Sequence, residues 1–229
     1  MGIHVTRHLP GATYCVYVQG TASGGAFMDK YCRQYFLTRL FNVLHPFRVQ
    51  LHAYAVLENE AYLLITPQLS SGLGAVMSAL QLSFGEYYRM RFDRETAPIS
   101  KNITSSEVSG YAHTLDCHKF IERLAVDVGL SDLVGTWEWT SFSTNGFGCK
   151  SKHLTQHRHF RQFLSQRERP YPSYREFLAS PLDSKYHAYL NSRIKSGEPI
   201  TKKKRRQEKT VARKVVKWES NPTNSLTLS

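Results

Sequence analysis

Two apolar segments of strand length, separated by only three polar residues, constrain the fold of this 229-residue chain most strongly. The segments 49–57 and 61–66 are mostly apolar, and Glu58-Asn59-Glu60 connects them. Apolar runs of this length are typical of buried strands, and so short a connection favours an antiparallel hairpin. We therefore predict a sheet that contains this hairpin.

Amphipathic helices are predicted on both sides of the hairpin along the chain. Residues 29–44 place apolar side chains at helical spacing, with Asp29 as the N-cap, and His45-Pro46 ends the pattern because proline disfavours helical geometry in the residue before it. A second helix begins after Ser71 and carries three arginines at its C-terminal end, where cations suit the helix dipole. They are Arg89, Arg91 and Arg94.

The order of the predicted elements indicates the fold class. A strand over 13–19 precedes the first helix, a weak strand near Ile103 follows the second, and a third helix covers 110–124. This βαββαβ order is typical of an α+β, ferredoxin-like fold, with an antiparallel sheet and helices on one face. We assign 1–147 to this domain, 148–200 to a C-terminal helical extension, and 201–229 to a basic tail that we expect to be disordered when free.

The charge balance predicts a polyanionic partner. The net charge is +12, and the tail supplies more than half of it, with nine basic and two acidic residues. Such a chain favours nucleic acid over an anionic membrane surface. With the three arginines named above, the predicted nucleic-acid-binding residues are Lys202, Lys203, Lys204, Arg205, Arg206, Arg213 and Lys214.

Compartment and membrane association are also constrained. No apolar run approaches the roughly 20 residues that a membrane helix needs, and no secretory leader is recognisable. The four cysteines are widely spaced without a CxxC pair, which fits a reducing cytoplasm and argues against a zinc site or a disulfide scaffold.

Residues 51–67 (LHAYAVLENEAYLLITP) resemble the central hairpin of the single-tyrosine HUH transposases, in the REP-associated branch. Further matches run in the same order from about residue 9 to residue 147. They are Leu9-Pro10-Gly11, Lys119-Phe120-Ile121-Glu122 and Trp139-Thr140-Ser141-Phe142.

The resemblance implies a bacterial cytoplasmic, nucleoid-associated protein that binds hairpin or single-stranded DNA. In active members, two histidines and a helical amide hold Mg²⁺ or Mn²⁺, and a tyrosine attacks the scissile phosphate to form a 5′-phosphotyrosine link. The wider family implies either a monomer or a homodimer, and both remain open.

Every one of those catalytic positions is altered in this chain. Glu60 and Tyr62 stand where the family has its histidines, Phe120 where it has the tyrosine, and Leu124 where it has the amide. Phenylalanine has no hydroxyl to form the covalent link, and a neutral phenol is a poor ligand for a hard divalent cation. We therefore predict no catalytic residue, no metal and no cofactor, in a DNA-binding regulator that has lost cleavage.

Two alternatives use other residues. The chain could remain a transposase or single-strand endonuclease if Glu60 and Asp116 formed a new metal site, or if Tyr111 replaced the nucleophile. Asp116 lies one helical turn before Phe120, whereas Tyr111 is nine residues away and falls on the opposite face.

The other alternative is an RNA-binding riboregulator, in which the basic tail and the arginines hold a transcript. His153 and His157 have the i, i+4 spacing of a metal-binding pair, but we interpret them as exposed residues of a basic stretch. We expect the lone strand histidine, His52, to be packed or hydrogen-bonded.

Overall fold

The structure is a computed structural model that describes residues 8–22, 25–93 and 97–201. The predicted α+β class is confirmed, with a four-stranded antiparallel sheet and seven helices in this part of the chain. The strands are β1 (Thr13–Gln19), β2 (Val49–Val56), β3 (Glu60–Pro67) and β4 (Thr104–Val108). The helices are α1 (Lys30–Leu44), α2 (Gly72–Phe92), α3 (Tyr111–Asp127), α4 (Phe142–Phe147), α5 (Arg158–Ser165), α6 (Pro170–Ala179) and α7 (Ser184–Ser196).

The sheet has the strand order β2-β3-β1-β4, as expected of a ferredoxin-like βαββαβ unit. The predicted hairpin forms between β2 and β3, with Val56 opposite Ala61, and a register shift interrupts it between Leu51 and Ala53. The weak strand predicted near Ile103 is β4, and it pairs with β1 at the edge of the sheet.

Alternation along the strands divides their side chains between two cores. The α1 and α2 helices pack on one face, as predicted for the helices of the βαββαβ unit. The opposite face is also covered, because α3 and α7, which follow that unit, pack against Tyr62, Leu64 and their neighbours. The strands are therefore buried on both sides, which explains why the β2 and β3 segments read as apolar runs rather than as an alternating pattern.

The predicted limits of the first helix are confirmed. The side chain of Asp29 accepts a hydrogen bond from the Cys32 amide at 2.8 Å, and the helix ends at His45. Ser71 occupies the N-cap position of α2, but its side chain makes no capping hydrogen bond.

The predicted C-terminal extension contains α5, α6 and α7. The first two helices pack with Leu115 and Phe142 in a third apolar cluster, and α7 packs on β4 and β1. Beyond α7, Ile200 forms a parallel bridge with Val108, so the last described residues lie beside the free edge of β4. The extension therefore shares its cores with the sheet domain.

None of the helices in the described ranges is long and apolar enough to cross a lipid bilayer.

Candidate nucleic-acid site

The four altered catalytic positions lie on the face of the sheet that α3 covers. Glu60 and Tyr62 lie two residues apart on β3, so both side chains are on this face, and Phe120 and Leu124 come from α3. The Tyr62 and Phe120 rings meet edge to face with their centroids 5.7 Å apart. Both rings are almost fully buried, so packed aromatic carbon occupies the place that the resemblance gives to the nucleophile and a metal ligand.

Glu60 is held by three donors. The Tyr17 hydroxyl donates to Oε1 at 2.8 Å, the Tyr62 hydroxyl donates to Oε2 at 2.9 Å, and the Lys195 ammonium on α7 lies 2.6 Å from Oε1. Burial alone raises the pKa of Glu60, but the hydrogen bonds from Lys195 and the two tyrosines outweigh it and hold the pKa below its usual value. The carboxylate is therefore ionised and neutralised within the protein.

These residues do not fit the divalent cation that the resemblance implies. Burial and the charge of Glu60 raise the pKa of Tyr62, so its oxygen remains a protonated phenol. Phe120 and Leu124 offer no donor atom, and the ammonium of Lys195 occupies the position of a cation beside Glu60. Among the residues that the structure describes, no three histidine, cysteine or acidic side chains are grouped to hold a metal.

The substitute residues do not rebuild a catalytic centre. Asp116 is half-buried and accepts a hydrogen bond from the Tyr186 hydroxyl at 2.8 Å, while the carboxylate of Glu60 bonds to Tyr17, Tyr62 and Lys195 instead. Neither acid is therefore freely solvated. Tyr111 packs in the third apolar cluster, away from the Phe120 face, as its spacing predicts.

One arginine of α2, Arg91, lies in a partly exposed aromatic patch. Arg91 pairs with Asp29 at 2.7 Å and lies over the ring of Tyr31, 5.0 Å from its centroid. Tyr87 stacks on Tyr35 with centroids 4.0 Å apart. Arg89 is exposed, whereas Arg94 and the tail residues from Lys202 onward lie outside the described residues.

A cavity of about 280 Å³ lies at the end of the sheet far from Glu60. We name it the Thr66 cavity, after a residue near the end of β3. Its walls carry two arginines, two histidines and three carboxamides, and no acidic side chain. They comprise Gly11, Gln50, His52, Thr66, Gln68, Thr155, Gln156, His157, Arg158 and Arg161.

A chain of hydrogen bonds forms the inner wall of this cavity. His52 Nδ1 lies 2.6 Å from the Thr155 carbonyl, and its Nε2 lies 2.9 Å from the Thr66 hydroxyl. Thr66 contacts the Thr13 hydroxyl at 3.1 Å, which in turn lies 2.9 Å from His157 Nε2. At the far end of the hydrogen-bond chain, His157 Nδ1 accepts from the backbone N–H of His159 at 3.1 Å.

The two backbone groups at the ends of this chain assign its direction. A carbonyl only accepts, so His52 Nδ1 carries the proton and its Nε2 accepts from Thr66. A backbone N–H only donates, so His157 Nδ1 is bare and its Nε2–H donates to Thr13. With this assignment, all four ring nitrogens of the two imidazoles have a hydrogen-bond partner.

Burial keeps these rings neutral. It lowers the pKa of His52 to about 4. Burial, aided by His52, His159 and the two cavity arginines, lowers the pKa of His157 to about 3. The interpretation of His157 as an exposed residue is wrong, because its ring caps α5 and closes the hydrogen-bond chain. His52 is hydrogen-bonded, as expected, and His153 is exposed and stacks on Phe41.

Sequence analysis missed several residues of these sites. Lys195 lies 135 residues after Glu60, and no motif links the two. The Thr66 cavity has a weak signal, since the segment 149–167 contains five basic residues and no acidic one. Asn145 donates both to the backbone carbonyl of the cavity residue His52 and to Glu122, at 2.9 and 2.7 Å. Glu122 is a buried carboxylate that also accepts from Tyr174 at 2.8 Å and bonds to Ser141.

The sequence matches no protein-family model, and no curated protein is detectably similar to it. The fold is similar to a solved structure of a REP-associated tyrosine transposase bound to a REP hairpin. The TM-score is 0.54 at 11% sequence identity, and the match covers 69% of this chain and 93% of the other. At this identity the similarity establishes a shared fold, in agreement with the resemblance of residues 51–67.

Proposed function

We propose that this chain binds hairpin or single-stranded DNA without cutting it, and acts as a regulator at sites that active relatives recognise. The observation that carries the proposal is the packed contact between Tyr62 and Phe120, because it separates binding from cleavage. An intact site would need a nucleophile and a metal there.

Two features support binding. The fold is shared with a transposase solved on a DNA hairpin. The net charge of +12 favours a polyanion, and charge placed in a tail adds affinity through counterion release without reading sequence.

Three features support the loss of cleavage. Phe120 has no nucleophilic oxygen, Lys195 neutralises Glu60, and the pKa of Tyr62 is raised, so its phenol is a poorer nucleophile than a free tyrosine. Tyr111 and Asp116 are placed in other contacts, so they offer no replacement.

The test is a binding titration of the full chain, followed by fluorescence anisotropy, with three labelled oligonucleotides. They are a DNA hairpin with an unpaired 5′ extension, a blunt duplex of equal length, and the RNA version of the hairpin. We expect the DNA hairpin to bind most tightly. Equal affinity for all three would reduce the chain to a nonspecific polycation binder, and a preference for RNA would replace the proposal with an RNA-binding function.

The contribution of the tail is measured in the same assay. Replacing Lys202, Lys203, Lys204, Arg205 and Arg206 by glutamine removes five charges, so the slope of log affinity against log salt falls by roughly 0.7 for each lost contact with a single strand. The preference for hairpin over duplex should persist, since phosphate contacts alone carry no sequence information. Replacing Lys185, an exposed lysine on α7, provides the matched control.

A further inference from the structure

We propose that the Thr66 cavity binds one unpaired nucleotide, with its phosphate at Arg158 and Arg161 and its base edge at the glutamine carboxamides. This inference rests on the proposed function and names a binding site for it. It also places that site away from the altered catalytic positions.

The size of the cavity suits a single nucleotide. Its volume of about 280 Å³ is just below the roughly 300 Å³ at which small-molecule pockets begin, so it suits one nucleotide better than a base pair.

The charge of the cavity selects a phosphate. Arg158 and Arg161 lie three residues apart on α5, so their like charges are neighbours on one helix face. None of the five ion pairs found among the described residues includes either arginine. Two exposed guanidinium groups that repel each other are stabilised by an anion between them, and guanidinium geometry suits phosphate oxygens.

The neutral wall of the cavity selects a base rather than a plain anion. Gln50, Gln68 and Gln156 each offer a donor and an acceptor, which is the combination that base edges require. The Gln68 amide nitrogen donates to Gln50 Oε1 at 3.4 Å, and this contact leaves Gln68 Oε1 as an acceptor beside the Gln50 amide nitrogen as a donor. Behind them, the chain from His52 to His157 uses its own hydrogen bonds internally and provides a rigid wall.

The last described residues of the chain lie near the cavity. Ile200 bridges Val108, Val108 pairs with Thr13, and Thr13 contacts Thr66 through their hydroxyls. The last described residues are thus three strand spacings from the cavity, or about 15 Å.

The altered catalytic positions lie at the other end. Glu60 begins β3 and Thr66 almost ends it, so the two sites are separated by six residues of strand, or about 20 Å. A nucleotide in the cavity would leave the Glu60–Lys195 pair untouched.

The experiment measures binding of each of the four deoxynucleoside 5′-monophosphates to the full chain by isotope-edited NMR, with inorganic phosphate as a further probe. We expect saturable shifts at the His52 and His157 side chains and at the Gln68 carboxamide. Arg161→Ala should weaken nucleotide binding by about 10-fold to 100-fold, because it removes a charged hydrogen bond. Gln68→Ala should change the preference among the bases.

Arg167→Ala is the matched control. Arg167 follows α5, is exposed, and lies over the Phe163 ring outside the cavity. It should leave nucleotide binding unchanged. An equal loss in Arg161→Ala and Arg167→Ala would mean general electrostatic attraction and would overturn the proposal.

The remaining outcomes distinguish failure of the nucleotide site from failure of the proposed function. If inorganic phosphate binds as tightly as any nucleotide, the cavity is an anion site and the base contact is wrong. If hairpin DNA binds while no mononucleotide shifts the cavity residues and Arg161→Ala has no effect, this inference fails and the proposed function stands. If hairpin DNA does not bind at all, the proposed function itself fails.

Discussion

Acidification from pH 7 to pH 5 should destabilise this protein through the two neutral histidines of the Thr66 cavity. The pKa is lowered to about 4 for His52 and to about 3 for His157. In the unfolded chain both titrate near about 6.5, so between these values the unfolded state binds more protons than the folded state. Stability therefore rises with pH in this window and is lost as the pH falls.

The magnitude follows from the pKa difference. At pH 5 each histidine is protonated in the unfolded chain and neutral in the folded chain, at a cost of about 2 kcal/mol each. Glu122 opposes them, because burial raises its pKa to about 6 and the folded state gains about 1 kcal/mol on taking up its proton. The net loss expected from these three groups is about 3 kcal/mol, a large share of the 5 to 15 kcal/mol typical of a domain. The fully buried His118, whose pKa burial also lowers, adds to this loss.

Urea unfolding followed by circular dichroism at pH 7 and pH 5 measures this loss, and NMR titration of the imidazole resonances assigns it. Titration of His52 and His157 near 6.5, or equal stability at both pH values, would refute the neutral hydrogen-bond chain.

Three further variants probe the buried polar groups. In urea unfolding, the free energy of unfolding of Glu122→Gln relative to wild type should rise by about 2 kcal/mol between pH 4.5 and pH 7, because the buried carboxylate is costly only when it is ionised. A difference that does not change with pH would mean that Glu122 does not titrate in this range. Thr13→Val should cost about 1 to 3 kcal/mol in the same assay, because it leaves His157 Nε2–H without its acceptor, and a neutral result would contradict that bond. Lys195→Ala should raise the pKa of Glu60, seen by carboxyl NMR, at a stability cost of at most about 1 kcal/mol, whereas Lys185→Ala should do neither.

Local patterns were sufficient to predict most of the fold. Capping by Asp29, the stop at His45-Pro46 and the apolar runs of β2 and β3 are decided by neighbouring residues, and the structure has each of them. Cover on the second face of the sheet was not predicted, because α7 reaches it through contacts such as Lys195 with Glu60 that only the folded chain brings together.

In the candidate sites, too, some contacts could be predicted from the sequence and others form only in the folded chain. The resemblance, through residues 51–67 and 119–122, implies that Tyr62 and Phe120 belong to one site, and in the structure their rings are in contact. The Thr66 cavity collects its walls from β2, β3 and the approach to α5, and no spacing rule joins Gln50 to Arg161. The burial of His157 was missed because its Nε2–H bonds to Thr13, which lies 144 residues away in the sequence.

The central claim is binding without cleavage, and one incubation tests both parts. A 3′-labelled DNA hairpin with an unpaired 5′ extension is mixed with the full chain and Mn²⁺, and the sample is divided between a native gel and a denaturing gel. We expect a retarded complex on the native gel. The denaturing gel should show only free, full-length DNA, because Phe120 cannot form a phosphotyrosine link. A labelled protein band that survives denaturation, or no complex on the native gel, would contradict it.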